Sequence, residues 1–232
     1  MVEDAISRRI FTTADASRIA GVNPASARRW VTGYSYRYKG STRTRAPRLG
    51  PSAGEVEGVL LMSFLDLIEI QMAVSLRNRK ITWPKIGKAA ELFRRQWGSA
   101  HPFALQRFRS DSQTILAEFG KEIGDPYVLD VATNQVVFDA LIEQSLFDVL
   151  DFREDGTPWR LWLGDRDSQV VVDPARAFGR PIIDAFGLPV STLVAAYAAN
   201  DNNIEPVARW FDVPPEAVEA ALRWNASLRR AA

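Results

Sequence analysis

The chain has 232 residues, a formal net charge of +1, one histidine and no cysteine. The lack of cysteine excludes a disulfide framework, a thiol nucleophile and cysteine-ligated metal centres, and one histidine excludes a multi-histidine metal site within the chain. No apolar run approaches the roughly 20 residues of a bilayer span. The opening Met1-Val2-Glu3-Asp4 also lacks the basic-then-apolar layout of a signal peptide, so a cytoplasmic protein is expected.

Charge is distributed unevenly along the chain. Residues 1–54 hold ten basic and three acidic side chains, a net charge of +7, whereas the remainder holds 19 basic and 25 acidic side chains. A basic segment on an acidic remainder indicates an anionic partner for the N-terminal part, with nucleic acid as the leading class. A solvated basic face is the alternative, and the residue pattern within the segment has to decide between the two.

Two short helices are predicted at the start of this basic segment. A capping hydroxyl at Thr12 or Thr13 starts the first helix, and Gly21 ends it. Asn23-Pro24 starts the second helix, predicted over residues 24–32. Two helices joined by a glycine turn are typical of a helix-turn-helix unit, whose second helix lies in the major groove of DNA.

A hairpin is predicted next. Strict alternation predicts a strand with Tyr34, Tyr36 and Tyr38 on one face and Arg37 and Lys39 on the other. A turn at Gly40-Ser41 and a return strand over 42–45 complete a basic hairpin, which at this place is typical of a DNA-binding wing. The predicted DNA contacts are Ser26, Arg28 and Arg29 in the groove and Arg37, Lys39, Arg43 and Arg45 on the DNA backbone.

The stretch from Phe11 to Trp30 resembles the DNA-binding head of MerR-like regulators. It has their threonine-rich entry, a Gly21-Val22 turn, an Asn23-Pro24 restart and a terminal Arg28-Arg29-Trp30. The resemblance implies binding of double-stranded operator DNA, and regulators of this kind act as symmetric dimers on paired half-sites. A helical hairpin used only for packing between copies is the alternative. Trp30 is assigned to the core rather than to base stacking.

Two longer helices are predicted after the hairpin, in a bracing and dimerisation role. Ser63 caps the first, which runs to about Arg79 with Asp66 and Glu69 near its positive end. Its apolar stripe is predicted at Leu65, Ile68, Met72 and Leu76. Thr82-Trp83-Pro84 begins the second.

Short strands are predicted further along the chain. They fall at 107–109, 114–117, 127–129, 135–138, 147–152, 158–163 and 169–172, with a short helix over 139–145. A metal cluster is one interpretation of the acidic residues in this part: Asp148, Asp151, Glu154 and Asp155. Their alternating and turn positions favour edge and loop charges, so no metal and no cofactor are predicted.

Three helices are predicted at the C-terminus, over 191–199, 204–211 and 215–227, with Ser191 capping the first. Gly179-Arg180-Pro181-Ile182-Ile183 and Leu188-Pro189-Val190 resemble the small trihelical domain of VapB-type antitoxins. That family has Gly-Thr-Arg where this chain has Ala185-Phe186-Gly187, so contacts of the missing arginine are not carried over.

The MerR-like head and the C-terminal trihelical segment, or tail, together resemble the larger VapB-type antitoxins. Those antitoxins are encoded beside a PIN-domain ribonuclease toxin. The resemblance implies an α+β fold: a winged helix-turn-helix at 1–54, bracing helices at 55–104, a strand-rich middle at 105–172 and a trihelical domain at 173–232. It implies a homodimeric antitoxin that neutralises a PIN-type ribonuclease and represses its own transcription. The acidic tail suits a positively charged protein partner, with Arg180 either contacting that partner or bonding a backbone carbonyl in a turn.

Other functions are also compatible with parts of the sequence. A MerR-like regulator would sense a small molecule if the aromatic residues of the middle enclosed it, although ordinary core packing is the simpler interpretation of Tyr127, Phe138, Phe147, Phe152, Trp159 and Trp162. The spacing of Val207, Val213 and Val218 also suits a second helix-turn-helix, but the acidic charge there would repel phosphate. No enzyme is expected, because His101 sits at a loop start and no glycine-rich phosphate loop is present.

Overall fold

The computed structural model of the chain describes residues 5–8, 10–49, 54–78, 81–109 and 147–231, with isolated positions at 111, 117, 120, 121 and 124. These residues form a mixed α+β fold. The labelled helices are α1 (Thr13–Ala20), α2 (Pro24–Thr32), α3 (Phe64–Asn78), α4 (Trp83–Trp97), α5 (Val190–Ala199), α6 (Ile204–Phe211) and α7 (Pro215–Ala231). The strands are β1 (Phe11–Thr12), β2 (Tyr34–Tyr38), β3 (Ser41–Arg45), β4 (Gly54–Val56), β5 (Val59–Met62), β6 (Leu150–Phe152), β7 (Pro158–Trp162), β8 (Val170–Val172), β9 (Ile182–Ile183) and β10 (Leu188–Pro189).

Side-chain caps fix the first two helices where the sequence predicts them. The Thr12 hydroxyl accepts a hydrogen bond from the Asp15 amide, and the Asp15 carboxylate accepts one from the Thr12 amide, which is a capping box. Gly21, at φ 63°, ends α1 in the left-handed conformation. Asn23 caps α2 through the Ala25 amide at 2.9 Å. The predicted boundaries of both helices are confirmed.

Helix α3 lies at the centre of the N-terminal part. Its Ser63 cap is confirmed by a 3.2 Å hydrogen bond from the Asp66 amide to the Ser63 hydroxyl. The predicted one-sided apolar stripe is too narrow, because α1, α2, α4 and the 3-10 turns Ala5–Ser7 and Pro102–Ala104 contact the helix. Asp66 and Glu69 are therefore 0% exposed.

The sheets are small and antiparallel. One has the strand order β1-β5-β4, the β2–β3 hairpin forms a second, and five strands in the order β10-β9-β8-β7-β6 form a third. The third sheet pairs β8 with β9, so strands on either side of residue 173 belong to it. Helix α7 packs against α5 and reaches β8 and β9, which attaches the C-terminal helices to this sheet.

The strands predicted for the middle of the chain, residues 105–172, differ from the structure in several places. Residues 107–109 are helical rather than a strand, because this conformation places Phe108 in an aromatic cluster with Phe93 and Phe103. Residue 117 is helical as well, and strand β6 begins only at Leu150, after a helical turn at 147–148. The strands predicted at 127–129 and 135–138, the helix at 139–145 and residues 114–116 lie outside the described residues.

The C-terminal helices follow the prediction closely. Helix α6 has the predicted bounds, and α7 extends past the predicted end to Ala231. The predicted Ser191 cap is wrong: α5 starts one residue earlier and Pro189 stands at its N-cap, where its fixed φ of −61° leads into the helix. Over the described part of the chain, no helix has the length and apolar character to cross a membrane.

Candidate nucleic-acid interface

Helix α2 separates its buried and exposed residues as the sequence predicts. Ala27 and Val31 are buried against the core, whereas Arg28 and Arg29 are exposed. Ser26 is half-buried at the edge of the exposed face. Ala25 and Thr32, which the sequence analysis did not select, complete that face together with the two arginines.

An ion pair links Arg28 to strand β4. Its guanidinium lies 3.9 Å from the Glu55 carboxylate, with the two side chains 51% and 57% exposed. A surface pair of this kind contributes about 0.2–1 kcal/mol, and salt screens it further. A phosphate could therefore displace Glu55 at little cost.

The hairpin register divides the predicted basic residues. Tyr36 pairs with Arg43 and Tyr34 with Arg45, while Arg37 pairs with Thr42. Directly opposed residues of an antiparallel pair lie on the same face. Arg43 and Arg45 therefore share the tyrosine face, and Arg37 lies on the other.

The hairpin turn lies one residue earlier than predicted. Tyr38 pairs with Ser41, so the two turn residues are Lys39 and Gly40, with φ of 48° and 79°. Positive φ at both positions suits the tight twist of a two-residue hairpin loop. Lys39 consequently stands at the hairpin tip and not on a strand face.

A row of arginines and tyrosines runs from α2 along the hairpin. The Arg29 guanidinium carbon lies 5.7 Å from the Tyr34 ring centroid, and Arg43 lies 4.6 Å from the Tyr38 ring. Arg45 lies 6.0 Å from the Tyr36 ring. These cation–π contacts hold the guanidinium groups in place, which lowers the entropy lost when they bind a ligand. We call these six residues the arginine–tyrosine row.

Gly33 fixes the hairpin relative to α2. At this residue φ is 73°, and a β-carbon would clash with the Arg45 carbonyl oxygen. Only glycine leaves room for that strand to pass. Beyond the hairpin, the Arg48 and Leu49 amides donate to the Trp30 carbonyl at 2.7 and 3.0 Å. The hairpin base is thereby attached to α2.

Trp30 is half-buried, and its ring lies 4.7 Å from that of Trp83 on α4. This packing places it in a structural role, in agreement with its assignment to the core. Arg48 stacks on the same Trp83 ring at 4.8 Å. From Val22 to Leu49 the chain has seven basic residues and no acidic one, so nothing within this segment neutralises its positive charge.

Arg180 lies elsewhere, in a cleft beside α1 rather than on the surface of α2 and the hairpin. It is exposed, and its Nε donates a 3.4 Å hydrogen bond to the Ala177 carbonyl. This bond agrees with the turn that the sequence analysis offered as one of two roles.

Two of the four acidic residues considered as a metal cluster, Asp148 and Asp151, form ion pairs with arginines. Asp151 accepts hydrogen bonds from Arg160 at 2.6 Å, Arg166 at 2.8 Å and the Trp162 indole at 3.1 Å. Partial burial raises the pKa of Asp151, but these hydrogen bonds from Arg166, Arg160 and Trp162 outweigh burial, and the pKa is lower than usual. Within the described ranges, no three His, Asp or Glu residues are arranged to hold a metal ion.

His101 belongs to a buried charged cluster that the sequence analysis missed. Its Nδ1 lies 3.6 Å from Glu69 Oε2 and 3.8 Å from Asp66 Oδ1. Burial alone would lower the pKa of His101, and Arg94 acts in the same direction. The interaction with Glu69 and the charge of Asp66 outweigh both, so the pKa lies above 6.5. The i, i+3 spacing of Asp66 and Glu69 on an otherwise apolar helix is the sequence signal that could have indicated this cluster.

The alternative function, a small-molecule sensor, would need the aromatic residues of the middle to enclose a ligand. Those that the structure describes pack against other side chains instead. Phe147 stacks on Phe152 with ring centroids 6.1 Å apart and contacts Phe108. Arg160 stacks on Trp159 at 4.6 Å and on Trp162 at 4.9 Å. The remaining two residues of that set, Tyr127 and Phe138, lie outside the described residues.

Comparison with known proteins adds three similarities. Residues 170–224 match the family model for a protein of unknown function, DUF433. Over 223 residues the chain is 23% identical to a Mycobacterium tuberculosis protein named "Putative antitoxin VapB45", and the alignment covers 92% of each protein. The crystal structure of Rv2018 from Mycobacterium tuberculosis matches with a TM-score of 0.69 at 21% identity, covering 93% of this chain and 98% of that one. The chain therefore shares the fold of that structure over nearly its whole length.

Proposed function

We propose that the chain is an antitoxin of a type II toxin–antitoxin system, which neutralises a PIN-type ribonuclease and represses its own operator. The observation that carries the proposal is the similarity, over 92% of both proteins, to a relative that bears the name of an antitoxin. The tail resemblance at Gly179-Arg180-Pro181 supports the same class.

The DNA-binding half of the proposal is supported by the surface of α2 and the hairpin. Helices α1 and α2 with the hairpin act as a winged helix-turn-helix, with α2 in the major groove. Arg28 and Arg29 then contact base edges, and the hairpin arginines contact phosphates. A homodimer places two such heads on paired half-sites, and occupancy of the operator blocks transcription.

The toxin-binding half is supported by the opposite charge of the tail. Between residues 190 and 228, the exposed residues of α5–α7 and their connections include more acids than bases: Asp201, Glu205, Asp212, Glu216 and Glu219 against Arg209 and Arg223. Phosphate would be repelled there, whereas a positively charged protein surface would be attracted. The two partners therefore bind different parts of the chain.

Operator binding tests the DNA-binding half of the proposal. Arg28→Ala and Arg29→Ala each remove a base contact, which is expected to weaken binding to the DNA upstream of the gene by about 1–3 kcal/mol, or roughly 5- to 150-fold, in fluorescence anisotropy. Arg209→Ala and Arg223→Ala remove the same charge from the exposed face of the tail and are expected to leave affinity within about twofold. Unchanged affinity of the α2 variants would contradict the groove assignment.

Co-expression with the neighbouring reading frame tests the toxin-binding half of the proposal. The protein from the neighbouring reading frame is expected to be a PIN-type nuclease that elutes with this chain as one complex in size-exclusion chromatography. Its ribonuclease activity is expected to fall in that complex. If the chain binds operator DNA alone and a small ligand changes its affinity for that DNA, the result would instead favour the alternative function, a MerR-like regulator that senses a small molecule.

A further inference from the structure

A cleft of about 160 Å³ opens where α1 meets the C-terminal part of the chain. Its apolar walls come from both ends of the sequence, with Phe11 and Ile19 on one side and Val190 and Trp224 on the other. The Gly179-Arg180-Pro181 segment lines it as well. The proposed function assigns no role to the cleft.

The cleft walls are held by tight packing. A β-carbon on Gly179 would lie 2.7 Å from Phe11 Cζ and 2.8 Å from Ile10 Cδ1. The Val190 amide donates a 2.9 Å hydrogen bond to the Pro181 carbonyl. The cleft is therefore formed before any ligand arrives, which reduces the cost of ordering it on binding.

The rim of the cleft carries surplus positive charge. Arg18 and Arg180 line it and are exposed, and Asp15 is the one acid among its lining residues. The Asp15 carboxylate already accepts hydrogen bonds from the Thr12 amide at 3.2 Å and the Thr12 hydroxyl at 2.6 Å. A ligand carboxylate would therefore be attracted to the two guanidinium groups.

Phe178 lines the cleft and combines high exposure with an unusual backbone conformation. Its side chain is 80% exposed, and its φ is 55°, between Ala177 at 46° and Gly179 at 70°. A left-handed conformation is costly for a bulky residue, and an exposed ring forgoes burial. An aromatic ring held outward next to an apolar cleft is the arrangement that protein interfaces use as an anchor.

We propose that this cleft and the Phe178 ring dock a segment of the toxin that places one large apolar side chain next to a carboxylate. The inference rests on the proposed function and adds, to the acidic exposed face of α5–α7, one local docking point for a carboxylate of the same partner. A volume of about 160 Å³ suits one side chain and falls below the roughly 300–1,000 Å³ of small-molecule pockets. The Phe178 ring lines the cleft and is 80% exposed, so a protein surface would cover far more of it than a small ligand would.

Two variants test the docking surface. Phe178→Ala removes the ring but keeps a β-carbon, and Arg180→Glu reverses the rim charge. Each is expected to weaken binding to the PIN-type protein of the neighbouring reading frame at least about tenfold in biolayer interferometry. Val59→Ala is the matched control, because Val59 is 48% exposed on β5 and belongs neither to the cleft nor to the exposed face of α5–α7. It is expected to bind within about twofold of the unsubstituted chain.

The outcomes separate the two proposals. Operator affinity unchanged in Phe178→Ala and Arg180→Glu, with toxin binding weakened at least about tenfold, supports the docking surface. Toxin binding at full strength in both variants overturns it and leaves the antitoxin proposal standing. Failure of the unsubstituted chain to bind the toxin overturns both. Micromolar binding of 3-phenylpropionate as a probe, without competition by the toxin, reassigns the cleft to a small ligand and overturns docking.

Discussion

At the residue scale, His101 is the single histidine of the chain and is 5% exposed. It lies against two carboxylates of α3, and Phe103 next to it donates its amide to Glu69 Oε1 at 3.3 Å. The cluster therefore joins the 3-10 turn at Pro102–Ala104 to α3. Its burial leaves a substrate no access to the imidazole, which favours a structural role over catalysis.

Protonation of His101 is expected to stabilise the fold. Because its folded pKa lies above the ordinary value of 6.5, the contribution is fully present below pH 6.5 and is lost as the pH rises through the folded pKa. Chemical denaturation across this range should show the loss. Since the chain has one histidine, an NMR titration reads its pKa directly. Glu69→Gln should lower that pKa, and a wild-type pKa at or below 6.5 would contradict the cluster's role.

At the element scale, the β2–β3 hairpin presents two different faces. Arg43 and Arg45 stand on the tyrosine face, in line with Arg29 of α2, whereas Arg37 lies on the opposite face and Lys39 at the tip. Because Arg29 contacts Tyr34, the tyrosine face continues the exposed surface of α2. We expect DNA that enters along α2 to meet the arginine–tyrosine row first.

Two double variants separate hairpin geometry from net charge. Arg43→Ala with Arg45→Ala is expected to weaken operator binding more than Arg37→Ala with Lys39→Ala, although each pair removes two charges. The logarithmic salt slope should fall by about 0.9 for each phosphate that the variant no longer neutralises. Anisotropy titrations at several salt concentrations measure both quantities. Equal reductions in affinity for the two pairs would mean that only total charge matters.

At the scale of the whole molecule, the two ends of the chain pack against each other. Gly179 lies against Ile10 and Phe11, immediately before the capping box of α1. The Arg160 guanidinium bridges Asp151 of β6 and Asp184 after β9, at 2.6 and 3.0 Å. Phe11, Phe64 and Val172 belong to one hydrophobic core, so the sheet and the N-terminal helices form one packed body.

Gly179→Ala should measure the packing between the two ends. It introduces a β-carbon at φ 70° and 2.7 Å from Phe11 Cζ, which is expected to cost about 1–2 kcal/mol for the backbone and about 1–3 kcal/mol for the clash. Gly98→Ala is the matched control, with φ 63° and no atom within 4 Å, so only the backbone cost applies. Urea denaturation gives both free energies of unfolding, and equal values would contradict the close packing at Gly179.

Features that depend on neighbouring residues could be predicted from the amino-acid sequence. The start at Thr12, the stop at Gly21 and the restart at Asn23-Pro24 rest on local hydrogen bonds and local backbone conformation, so their positions could be predicted. Helix periodicity located α6 over Ile204–Phe211. The concentration of positive charge needs no fold at all, which is why most residues of the candidate interface could be selected in advance.

Features that depend on distant residues follow from the packing of the folded chain. The Arg-Phe-Arg alternation at 107–109 suits a strand, but packing of Phe108 on Phe93 and Phe103 made it helical. Strand register placed Arg43 and Arg45 with the tyrosines, and packing around α3 buried Asp66 beside His101. The cleft beside Gly179 needs both ends of the chain. Such contacts join residues far apart in the sequence, and only the packed fold fixes their distances.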